Sequence, residues 1–94
     1  MERKFEVEML KSAAREYERL PRREKQRIAE AIDALESDPY PPGAERLQGY
    51  PGYRIRSGRF RVLYLVDDAA RRITIVRIVA RKDVYRRLER LFPD

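Results

Sequence analysis

The chain contains no cysteine, no histidine and no tryptophan. Without cysteine there is no disulfide framework, and a cytoplasmic location is the expectation. Without histidine the usual general base and the commonest metal ligand are missing. With both absent, neither a zinc site nor any other cofactor is expected. No apolar run approaches the roughly 20 residues of a bilayer span. The opening stretch MERKFEVEML has no apolar signal-peptide core, so no membrane association is expected.

What is present is charge. Asp, Glu, Lys and Arg make up 40% of 94 residues, and the net charge is +6. Residues 1–47 hold 10 basic and 11 acidic side chains, a net of −1, whereas residues 48–94 hold 12 and 5, a net of +7. A balanced half joined to a basic half points to a polyanionic partner, nucleic acid first. Hydrophobic residues at 43% suffice for one packed core, and the length suits a single domain spanning residues 1–94.

Periodicity gives the elements. Phe5, Val7 and Met9 alternate with charge, which predicts a strand over 3–9. Ser12 is placed to cap a helix over 13–20, with Ala13, Tyr17 and Leu20 on one stripe. Pro21 ends that helix and suits the start of the next, over 22–36, whose stripe is Ile28, Ala31, Ile32 and Leu35. Residues 37–52 hold four prolines and three glycines and read as a long connection pinned by Leu47. Strands follow over 53–56, 59–66 and 72–80, joined at Ser57-Gly58 and at Asp67 to Ala70. Asp83 is placed to cap a last helix, Val84 to Phe92. The order β-α-α-β-β-β-α predicts an α+β domain, with a helical hairpin on a mostly antiparallel four-stranded sheet.

The stretch YRIRSGRFRVLY, residues 53–64, carries four arginines on a strand pair bound for the core. Arg54 and Arg56 share a face by strand parity. Arg61 lies inside an apolar run, where a charge is destabilising unless it is paired or functional. Asp67, Asp68 and Glu45 are its candidate partners. Arg81 follows the last strand, and Tyr85 follows Arg81. Converging guanidiniums suit phosphate oxygens, and a tyrosine beside them suits base stacking. Alternating arginines on a strand also serve as a solvated face or a guarded edge.

The stretches LPRREKQRIAEAIDALESDPYPPGAERLQGYPGYRIRSGRFRVLYLVDD (20–68) and VRIVARKDVYRRL (76–88) resemble the RelE/ParE toxin superfamily of type II toxin–antitoxin systems. The resemblance covers nearly the whole chain and implies a RelE-like fold. In its RelE branch it implies a metal-independent mRNA endoribonuclease that acts in the ribosomal A site. There the 2′-hydroxyl attacks the adjacent phosphate, and translation is inhibited. The basic and aromatic positions of that branch fall on Arg54, Arg56, Arg61, Arg81 and Tyr85.

The chain departs from the pattern in two ways. Arginine stands where lysine is frequent at 54 and 56, and Val79-Ala80 replaces a Gly-His pair. Neither arginine nor these residues supply a base, which leaves Lys82, Glu45, the ribosome or the RNA itself as candidate proton acceptors. The resemblance also implies an acidic, helical RelB-like antitoxin as partner, with operator DNA bound only through it. The ParE branch implies a DNA gyrase inhibitor instead, and a non-toxic basic domain of the same fold is the third reading.

Overall fold

A computed structural model describes residues 4–80. Within that range the elements are β1 (Glu6–Met9), α1 (Lys11–Glu18), α2 (Arg22–Leu35), β2 (Glu45–Arg46), β3 (Tyr53–Ser57), β4 (Phe60–Asp67) and β5 (Arg72–Ala80). The expected last helix, its cap Asp83, Arg81 and Tyr85 lie outside the described residues.

The strands form one sheet in the order β1-β5-β4-β3-β2. The first and last strands pair in parallel, and every other pairing is antiparallel. The sheet has five strands rather than four. The extra one, β2, is only two residues long and lies inside the proline- and glycine-rich connection. It exists because Glu45 and Arg46 find backbone partners on β3, opposite Arg54 and Tyr53.

α1 and α2 cover one face of the sheet. Ala13, Leu20, Ile28, Ile32 and Leu35 pack there with Phe5, Ile55, Val62, Tyr64, Ile73, Ile75 and Ile78. The helical stripes expected from spacing are the ones that are buried. β4 is buried along most of its length, as its continuous apolar run requires. Its alternate residue Leu63 joins a small second cluster with Leu47, Val79 and Tyr50. Leu47 therefore does pin the connection.

Ser12 does not cap α1. The helix begins at Lys11 after an extended Leu10 with no side-chain cap. The Ser12 hydroxyl instead donates to the Val76 carbonyl at 3.2 Å. Val76 is the extra residue of a bulge, since Leu63 pairs with Arg77 and Tyr64 with Ile75. The β3–β4 turn is also shifted by one residue. Ser57 pairs with Phe60, so Gly58-Arg59 form the turn, with Gly58 at φ +61°. A glycine with positive φ at the first central position is what a type II′ hairpin requires.

Candidate nucleic-acid interface on the sheet

β3 and β4 build the site. Ile55 and Val62 are paired and belong to the helix-covered core. Their neighbours Arg54, Arg56, Arg61 and Leu63 must therefore point to the opposite face. Register sets Arg56 directly across from Arg61 and Arg54 across from Leu63. Three of the five expected site residues thus share one face of two adjacent strands.

They lie at different depths. Arg61 is only 3% exposed, and it is the one charged side chain in the described core. The Arg54 side chain is 13% exposed, and Arg56 is exposed. Two arginines directly opposite each other in a ladder repel, and one of them is buried. Register thus sets a buried and an exposed guanidinium side by side on one face.

Glu45 of β2 supplies the local counter-charge. Its Oε2 accepts a hydrogen bond from Arg54 Nη2 at 2.7 Å. That bond holds its carboxyl below the usual carboxylate range, and the charges of Arg54, then Arg56 and Arg61, act in the same direction. Glu45 is therefore a poor proton acceptor, which weakens it as a candidate base. The other two carboxylates singled out in the sequence make turn and loop contacts. Asp67 Oδ1 accepts from the Ala70 backbone N–H at 3.0 Å, and Asp68 Oδ2 accepts from the Tyr40 hydroxyl at 2.6 Å.

Arg77 is drawn to the helices. Its Nε donates to Glu16 Oε2 at 2.8 Å, and Glu16 Oε1 accepts from the Ile78 backbone N–H at 2.9 Å. One carboxylate of α1 thus occupies the edge of β5 beyond the reach of β1. Arg81, Lys82 and Tyr85 lie outside the described residues.

Spacing alone did not reveal that Glu45 pairs with Arg54, because that contact depends on the β2–β3 register. Nor did it reveal Gly52. That residue sits at φ +108°, and a Cβ there would lie 2.7 Å from the Tyr64 carbonyl oxygen. The close approach seats the end of the connection against β4, and the Gly52 carbonyl accepts from the Leu47 N–H at 3.0 Å. The GYPG motif was the available signal. No helix among the described residues is long and apolar enough to cross a membrane.

Residues 7–85 match the family model described as the ParE toxin of the type II toxin–antitoxin system parDE. The RelE1 protein of Methanocaldococcus jannaschii is 36% identical over 86 residues, covering 85% of this chain and 92% of that protein. Among solved structures, the RelBE2 toxin–antitoxin complex of Mycobacterium tuberculosis contains a chain that superposes with a TM-score of 0.75 at 25% identity. The match covers 83% of this chain and 99% of that one. The RelE–RelB complex of Pyrococcus horikoshii gives 0.74 at 28% identity, with 83% and 96% covered.

Proposed function

The chain belongs to the RelE/ParE toxin superfamily of type II toxin–antitoxin systems, and from that premise we propose that it is a ribosome-dependent mRNA endoribonuclease. The observation that carries the reading is the buried Arg61 set opposite Arg56, with Arg54 on the same face. Such a cluster suits a polyanion whose negative charge grows during reaction. The 2′-hydroxyl of one nucleotide attacks the adjacent phosphorus as its proton leaves. The pentacoordinate phosphorane then expels the 5′-oxygen, giving a 2′,3′-cyclic phosphate and a 5′-hydroxyl. Arg56 and Arg61 stabilise the added charge, and Arg54, already oriented by Glu45, orients the phosphate. Arg81 and Tyr85 complete the set, Tyr85 by stacking on a base. With Glu45 held acidic by the arginines, the proton acceptor is Lys82, the ribosome or the RNA.

The same reading assigns the chain a cytoplasmic location and an acidic RelB-like antitoxin, through which the pair binds operator DNA. The relatives from Mycobacterium tuberculosis and Pyrococcus horikoshii were solved as toxin–antitoxin complexes, which supports that partner class. A second reading, gyrase inhibition, is favoured by the ParE description of the matching family. Induced expression with mapping of mRNA 5′ ends, beside a plasmid supercoiling assay, separates the two. Codon-phased new 5′ ends are expected. Relaxed plasmid with unchanged mRNA ends sinks the nuclease reading.

A further inference from the structure

A second concentration of arginine lies away from the strand face. α1 and α2 meet at Pro21, and around that junction Arg15, Arg19, Arg22, Arg23 and Arg27 are all exposed. The carboxylates nearby are already committed. Glu16 holds Arg77, Glu18 lies 3.5 Å from Lys25, and Glu24 lies 3.4 Å from Arg59. Among the described residues, none of the five arginines forms an ion pair. Arg19, the C-cap of α1, is one turn from Arg15, and Arg23 and Arg27 are one turn apart on α2, so each pair shares a helix face.

The hairpin tip joins this group. Arg59 reaches Glu24, and Arg27 Nη1 lies 3.8 Å from where a Cβ on Gly58 would stand. Arg19, Arg59 and Arg77 line one concavity of about 360 Å³ beside the end of β5. The ridge therefore runs from the helix junction onto the hairpin that carries Arg56 and Arg61.

α2 also carries its charge backwards. Its first half holds Arg22, Arg23, Lys25 and Arg27 against Glu24. Its second half holds Glu30 and Asp33, with Glu36 and Asp38 just beyond and no basic residue in the last turn. The helix dipole favours the reverse, acids at the start and bases at the end. An arrangement that opposes the helix's own stability needs another cause.

We propose that this ridge, centred on Arg19, Arg23, Arg27 and Arg59, is a docking surface for the phosphate backbone of structured RNA. Guanidinium forks match phosphate oxygens, and backbone binding needs no apolar anchor. Protein interfaces are anchored by buried aromatic or aliphatic side chains. The only large hydrophobic residues exposed in the described structure are Leu10 and Tyr40. Leu10 precedes α1 at its far end, and Tyr40 lies in the connection after α2. The ridge offers charge without anchors, which favours RNA over an acidic protein. The inference rests on the mRNA-cleavage reading for its setting, since RNA structure then flanks the cleaved strand, but not for its measurement.

The test uses the full chain and a fluorescent RNA hairpin with a fully paired stem, titrated at several salt concentrations. Arg19→Ala/Arg23→Ala/Arg27→Ala should bind about tenfold or more weakly at low salt. Its slope of log K against log salt should be shallower by about 2 to 3, close to one per lost phosphate contact. Arg23→Ala/Arg27→Ala alone should melt at or above the parent's temperature, because cations leave the first half of α2. Arg61→Ala should keep most of the stem affinity even where cleavage is lost. A parent that binds the stem through these arginines but never cleaves mRNA counts against the nuclease reading alone. A triple variant with the parent's slope and affinity overturns the ridge proposal. So does one that loses binding to a polyglutamate peptide while keeping the RNA stem.

Discussion

The two faces of the sheet are built from the same strands to different ends. On the helix-covered face, Val62, Tyr64, Ile73 and Ile75 are fully buried among apolar neighbours. On the other face, β4 presents Arg61 and Leu63 in alternation with those residues. There a buried arginine faces another across the ladder, beside a small apolar cluster of Leu47, Leu63, Val79 and Tyr50. Burial of the first face stabilises the fold. The second places charge in the sheet, and on the proposed reading that charge meets a phosphate. One strand thus carries both faces on adjacent residues, separated by nothing except parity.

The largest effects should separate along that parity. Tyr64 is fully buried, and its hydroxyl donates to the Pro39 carbonyl at 2.7 Å. Tyr64→Ala should lower unfolding free energy by about 3 to 5 kcal/mol, the range of large aromatic truncations. Chemical denaturation reads it directly. Arg61→Ala should instead lose about 2.7 to 4 kcal/mol of transition-state stabilisation, roughly 100- to 1000-fold in cleavage. Arg61→Met keeps the aliphatic stem and removes the repulsion with Arg56, so it should melt at or above the parent's temperature while staying inactive. An Arg61→Met protein that is unstable yet cleaves normally would reverse the assignment of the two faces.

Much of this division was legible in the sequence, and the parts that were not share one cause. Phe5, Ile28, Leu35 and Ile73 declare their faces by local period, and Arg61 stands out inside its apolar run. What local period cannot show is a partner distant in sequence. The Ser12 hydroxyl goes to a bulge carbonyl 64 residues away, so an apparent cap is a helix-to-strand bond. β2 consists of two residues that are a strand only because β3 lies alongside. Arg56 opposes Arg61 because the turn falls at Gly58-Arg59, one residue later than expected. Charge counting failed in another way. The acidic end of α2 cancels the arginines at its start, so the first half of the chain sums to −1 and hides the ridge. Arg81 and Tyr85 rest on the resemblance alone.

The connection between α2 and β3 tests whether the faces are independent, because it touches both. Gly52 holds its end against β4 at a φ that disfavours any side chain, with the Tyr64 carbonyl in the way. Gly52→Ala should lower stability by about 1 to 3 kcal/mol, the scale of one strained backbone position. It should also weaken cleavage, since Leu47 and β2 are seated through this contact. A Gly52→Ala protein with parental stability would mean that the connection adapts and the seat is not rigid.

The smallest effect belongs at the other end of that connection. Tyr40 stacks edge-on to Tyr53, at 5.0 Å between ring centres, and donates to Asp68. The ring is 41% exposed, so solvent discounts the bond, and Tyr40→Phe should lose less than about 1 kcal/mol at neutral pH. Its pH dependence is the sharper signature. The phenol is pushed up to about 12, first by its hydrogen bond to Asp68, then by partial burial and the Asp68 charge. An unfolded tyrosine ionises near pH 10. A group whose folded pKa is raised contributes stability that is full below the unfolded value and lost as pH rises through the folded one. The difference between parent and Tyr40→Phe should therefore be constant up to about pH 10 and fall away as pH rises through about 12. The subtraction removes the other tyrosines, including Tyr64, which burial also shifts upward. Cleavage should stay within about twofold of the parent, because Glu45 and Arg54 are held by the β2–β3 ladder and not by Tyr40. If cleavage instead falls more than tenfold while the stability difference stays small, the tyrosine anchor on the helix side sets the arginines on the other. The two faces would then be one coupled unit.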